Sequence, residues 1–112
     1  MKIHVGLREM VKVIGENVVE TLAKFDTGAA RSCIDMRIAA KARIGPIVKT
    51  VKVVSATRKK YRRAIVMATI EVCGKCITLP IGIDDRKNLK EKVLIGRDII
   101  GSNFIIDIGK EK

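Results

Sequence analysis

Asp26, Thr27, Gly28 and Ala29 follow directly on an apolar-rich run from Val18 to Phe25. An acid at the end of a strand can present its carboxylate to a substrate as a general base or acid. Thr27 can brace the loop by hydrogen bonding across a two-fold axis, and Gly28 lets backbone come close to a substrate or a partner loop. An ordinary Asx turn uses the same residue types, so the triplet alone leaves both readings open. The 112 residues contain one such triplet, and a site built on two carboxylates therefore needs two chains. Two Asp26 side chains a hydrogen bond apart cannot both ionise cheaply, so they would share a proton and titrate as one dyad.

Two other groups of residues invite chemistry. Cys73 and Cys76, with Cys33 and His4, add up to four metal-ligand types, but Cys73-Gly74-Lys75-Cys76 is equally a turn between strands. The turn is the more economical reading, and neither a metal nor a cofactor is expected. Arg58, Lys59, Lys60, Arg62 and Arg63 form a dense basic run, either a solvated hairpin tip or a gate over the Asp26 loop. Arg31 adds a cation three residues past Gly28.

The elements that must position these residues are mostly strands. Gly6 and Gly15-Glu16-Asn17 break the first 25 residues into two strands joined by a hairpin, the second ending at Asp26. Met36 to Ile44 is rich in helix formers, with Asp35 as its cap and Gly45-Pro46 as its stop. Lys49 to Ser55 and Ala64 to Val72 read as a hairpin whose charged tip is Thr57 to Arg63. Two further strands flank the cysteine turn, with Pro80 where an edge tolerates it. A charged loop from Asp84 to Lys92, an apolar run from Val93, a short turn or helix, and a last strand from Asn103 to Ile108 complete the chain.

Composition narrows the function. With 47% hydrophobic and 31% charged residues the chain can bury a core, and its length suits one domain spanning 1–112. The first fifteen residues interleave charges with apolar positions, which leaves no run for a signal peptide or a membrane span and gives a cytoplasmic expectation. Three cysteines cannot all pair, which argues against a secreted disulfide scaffold. The lack of Gln and Trp beside abundant Lys, Arg and Ile is the bias of chains that work hot. A net charge of +11 attracts acidic peptides or nucleic acid. Single-strand binders stack bases on aromatic side chains, however, and only Phe25, Tyr61 and Phe104 are aromatic here, scattered along the chain.

About seventy residues after the Asp26 loop, Val93-Leu94-Ile95-Gly96-Arg97-Asp98 resembles the segment that supports the catalytic loop in retropepsin-like aspartic proteases, and Asp26-Thr27-Gly28-Ala29 is similar to their catalytic triplet. The resemblance implies a mainly β fold: a retropepsin-like acid-protease β-barrel protomer with one or two short helices and a flap hairpin. It also implies a homodimer that joins two Asp26 loops, with Thr27, Gly28, Ala29, Gly96 and Arg97 supporting them. A narrower resemblance covers Lys24 to Ser32, Arg63 to Val66, Asp84 to Arg86, Leu94 to Arg97 and Phe104 to Asp107. Those segments look like the bacterial and archaeal retropepsin-like group that carries the name ATP-dependent zinc protease. Members of that group are often found beside an ATP-grasp ligase that adds glutamates to a ribosomal protein. The chain has no phosphate-binding glycine loop and no His-Glu-x-x-His, so neither ATP nor zinc finds support in its residues.

Two departures stand out. Viral members place an acid where this chain has Ala30, so Arg97 must find another partner. Viral flaps are rich in glycine, whereas Thr57 to Arg63 has none and carries five cations. The expected function is an aspartic-type endopeptidase that cleaves acidic peptides, with Asp26 catalytic and Arg31, Arg58, Arg62 and Arg63 binding substrate. The alternative is a retropepsin-like binding domain that holds nucleic acid through the same cations.

Overall fold

Alternation of apolar and polar residues dictates the architecture of this computed structural model, which describes residues 2–54 and 57–110. Strand β2 (Arg8–Ile14) buries Glu9, Val11 and Val13 and turns Met10 and Lys12 outward. It pairs antiparallel with β3 (Val18–Phe25) through the expected turn at Gly15-Glu16-Asn17. Gly15 is required there by contact, because a Cβ would lie 2.2 Å from the Ala42 carbonyl oxygen. That carbonyl belongs to α1 (Met36–Ala42) and accepts the Asn17 N–H at 3.1 Å.

Helix α1 follows β4 (Cys33–Asp35), and the Asp35 carboxylate caps it by accepting the Arg37 N–H. Its end corrects the expectation of a stop at Gly45-Pro46. Arg43 takes the left-handed conformation (φ 54°), and the Arg43 and Ile44 N–H groups close a Schellman-type turn on the last carbonyls.

The long hairpin is β5 (Ile47–Val54) with β6 (Lys60–Val72); Ser55, the expected end of its first strand, and Ala56 lie outside the described residues. Strand β6 begins at Lys60, so Arg62 and Arg63 lie within the strand rather than at the tip. Cys73 and Gly74, both at positive φ (49° and 83°), form a two-residue turn into β7 (Lys75–Asp84). Pro80 sits where β4, which pairs only with Gly82 to Asp84, leaves that side of β7 open.

The chain ends with β8 (Val93–Ile95), the kinked helix α2 (Arg97–Asn103), β9 (Phe104–Ile106) and a 3-10 turn at Ile108–Lys110. The large sheet runs β2-β3-β8-β4-β7-β6-β5, and pairing of β2 with β6 closes it into a barrel from which β5 projects. The core fills the barrel with Val11, Val13, Ile34, Ile70, Ile81, Ile95 and Ile99, all at most 1% exposed. Burying each such side chain contributes roughly 1.5–3 kcal/mol.

Candidate active site

Asp26 is placed by two strands and a glycine. Register pairs Phe25 with Ile95 in the parallel β3–β8 ladder, and the Asp26 N–H continues it to the Ile95 carbonyl at 2.8 Å. Beneath the loop the rings of Phe25 and Phe104 meet edge to face with centroids 5.9 Å apart, so the strand end rests on packed aromatic core. The Asp26 side chain is half-buried. Its Oδ1 accepts the Gly28 N–H at 2.8 Å, and its Oδ2 takes no hydrogen bond among the described residues. Thr27 and Gly28 are exposed, which leaves this face of the loop open to a substrate or a second copy.

The second motif fastens the loop from behind. Gly96 packs so closely that an added Cβ would sit 2.8 Å from the Ala29 carbonyl oxygen and 2.9 Å from the Arg31 carbonyl carbon. The Arg97 N–H donates to the Ala29 carbonyl at 2.8 Å, and its guanidinium reaches the Thr27 carbonyl at 2.8 Å. Arg97 thus finds a backbone acceptor in place of the acid that Ala30 cannot supply.

Sequence reasoning passed over the two residues that complete this knot. The fully buried Ser32 donates its hydroxyl to the Asp98 carboxylate at 2.6 Å, and its N–H donates to both Asp98 oxygens at 3.0 and 2.9 Å. The same hydroxyl accepts the Gly96 N–H at 2.9 Å. The signal was present in the spacing, since Ser32 and Asp98 each lie beside a recognised motif, yet neither type announces a structural role on its own.

The basic run divides. Arg58 is exposed at positive φ (62°) and Arg62 donates to the Thr50 hydroxyl at 3.0 Å across the hairpin. Arg63 instead turns inward, donating to Asp84 at 2.6 Å and to the Tyr61 hydroxyl at 3.0 Å. Burial works against the charged form of Arg63, but Asp84 and Tyr61 outweigh it and hold the guanidinium above its ordinary value. Arg63 was expected in the gate; its charge is already matched. Arg31 is exposed and has no ion pair or hydrogen bond among the described residues.

Close by, a polar cluster anchors the charged loop. The buried Asp35 carboxylate accepts from the Arg86 N–H at 2.6 Å and from the Arg37 guanidinium, which also pairs with Asp85. The Lys87 N–H, with Arg37, holds the Asp85 carboxyl below its usual range. The Arg8 guanidinium, 2.7 Å from Glu91, does the same for that acid. Cys33 is buried, which raises its thiol pKa, while Cys73 and Cys76 are exposed free thiols, and no metal-ligating cluster occurs among the described residues. No helix among them is long and apolar enough to cross a membrane.

No protein-family model and no curated protein matches the chain. Solved structures do. The chain superposes on Lpg0085 (DUF785), a Legionella pneumophila protein of unknown function, at TM-score 0.66, with 20% identity over 97% of this chain and 95% of that one. EIAV protease bound to the inhibitor HBY-793 superposes at 0.66, with 18% identity over 83% of each chain. The retroviral protease-like domain of Ddi1 from Leishmania major gives 0.57, with 19% identity over 89% of this chain and 76% of that domain. The mostly β architecture, with its barrel and two helices, is that of the retropepsin-like acid-protease fold.

Proposed function

We propose that the protein is an aspartic-type endopeptidase that works as a homodimer. Asp26 carries the reading: an open carboxylate on a loop held by the backbone of β8 and by Arg97, Ser32 and Asp98, with one oxygen unengaged. Two copies facing across a two-fold axis would set two such oxygens side by side. One carboxylate then takes a proton from water as general base while the other, protonated, donates to the substrate carbonyl.

The terminal strands bear on the dimer. Strand β1 (Ile3–Val5) lies parallel to β9 within the chain. The two-stranded sheet they form keeps open edges, which can join a second copy edge to edge.

Acidic peptides are the substrate class that fits the net charge of +11 and Arg31 and Arg58, which form no ion pair among the described residues. Oligoglutamate is the sharpest candidate, in keeping with the resemblance to the group found beside a glutamate ligase. The free thiols suit a reducing, cytoplasmic compartment.

The exposed Arg58 and Lys60 favour one second reading, a binding domain for nucleic acid. Against it, Phe25 and Phe104 are core residues and Tyr61 packs on Arg63, which leaves no stacking platform. Incubation with oligoglutamate, a mixed peptide and single-stranded RNA at two salt concentrations separates the readings. Peptide turnover that disappears in Asp26→Asn supports the peptidase, and salt-sensitive RNA binding without turnover replaces it.

A further inference from the structure

Arg31 stands at the mouth of a hollow of about 280 Å³ lined by Ala30, Arg31, Leu79, Pro80 and Asp98. Its walls come from two neighbouring segments, the chain leading from the Asp26 loop into β4 and the strand β7 that pairs with β4, and they differ in character. Leu79 and Pro80 offer apolar surface, and Ala30 adds a methyl group.

Two charged side chains border the hollow, and they differ in their hydrogen bonding. Both Asp98 oxygens are engaged by the N–H and hydroxyl of Ser32. Arg31 has no counter-charge among the described residues. It lies five positions after Asp26, at most about 18 Å of extended chain, close enough to meet a substrate within a few residues of the bond cleaved. The basic hairpin lacks this combination, because Arg62 is tied to Thr50 and Arg63 to Asp84.

We propose that this hollow is a specificity subsite for a glutamate side chain of the substrate, gripped by Arg31 and covered along its methylenes by Leu79 and Pro80. The inference locates the selectivity of the peptidase proposed above and rests on that reading for the reaction, though not for the binding. A guanidinium meets a carboxylate in bidentate fashion, and Leu79 and Pro80 favour glutamate over the shorter aspartate by the apolar contact of one more methylene.

A peptide series tests this. One scaffold is varied to Glu, Asp, Gln or Lys at each position around the cleaved bond, and kcat/KM is measured for the wild type, Arg31→Ala and Arg31→Glu. One position is expected to favour Glu over Gln roughly three- to tenfold, the range for a partly exposed ion pair. That preference disappears in Arg31→Ala and reverses toward Lys in Arg31→Glu. A glutamate preference that survives in Arg31→Glu, or the lack of any discriminating position, overturns the subsite.

Affinities of the same peptides for Asp26→Asn, which needs no turnover, separate this inference from the peptidase reading. Arg31-dependent binding of the Glu peptide without cleavage by the wild type rejects the peptidase and keeps the subsite. Binding of single-stranded RNA that depends on Arg31, with the Glu and Gln peptides binding equally, rejects the subsite.

Discussion

The loop from Asp26 to Ser32 and the hairpin from Arg58 to Arg63 both carry cations, yet the barrel treats them differently. The loop is fastened by buried partners: Gly96 against two carbonyls, Ser32 against Asp98, Arg97 on Thr27. The hairpin is held by its pairing with β5, by Arg62 on Thr50 and by Arg63 on Asp84, and most of its side chains are exposed. A dense run of cations in sequence is therefore not the same as available charge. Arg63 is spent on its own protein, whereas Arg31 forms no ion pair among the described residues.

The largest effect should come from the loop itself. Asp26→Asn keeps the shape of the side chain but cannot share a proton, so turnover should fall about 10²- to 10⁴-fold with the thermal unfolding midpoint almost unchanged. Retained turnover would remove Asp26 from the chemistry.

Breaking the knot should cost stability as well as activity. Ser32→Ala strands the Gly96 N–H and strips Asp98 of its hydroxyl donor, and denaturant unfolding should show a loss of about 1–3 kcal/mol. Gly96→Ala drives a methyl into backbone and should cost a comparable amount or more. A neutral result in both would mean that the loop is held by the ladder with β8 alone.

The hairpin should respond more mildly. Gly82→Ala places a Cβ 2.7 Å from the Arg63 Cδ, so it should dislodge Arg63 from Asp84 and alter the KM for acidic peptides more than kcat. Equal changes in both constants would argue against a gate.

The smallest expected effect is a dependence of stability on acid. Arg8 holds Glu91 below the usual carboxylate range, and the Lys87 N–H with Arg37 does so for Asp85. A lowered folded-state value means that these acids stabilise the fold above the unfolded value, near pH 4, and lose that contribution as pH falls through the folded one. Thermal melts should therefore weaken below about pH 4, with a shallower slope in Glu91→Gln.

Much of this was legible in the sequence because periodicity and turn chemistry are local. The β2–β3 turn, the Asp35 cap and the Cys73-Gly74 turn each follow from a few adjacent residues. What escaped depends on distant partners. Ser32 and Asp98 lie 66 residues apart, and Arg63 and Asp84 21 apart, so nothing nearby in sequence announces either pair. The same holds for β1, whose partner β9 lies at the other end of the described chain.

The central claim, that two copies share one Asp26 dyad, is tested most directly by measuring specific activity on oligoglutamate across a dilution series beside sedimentation of the same samples. The account predicts activity per chain that falls in step with the dimer fraction and is suppressed when excess Asp26→Asn chains are mixed in. Undiminished activity at concentrations where sedimentation finds only monomer would contradict it.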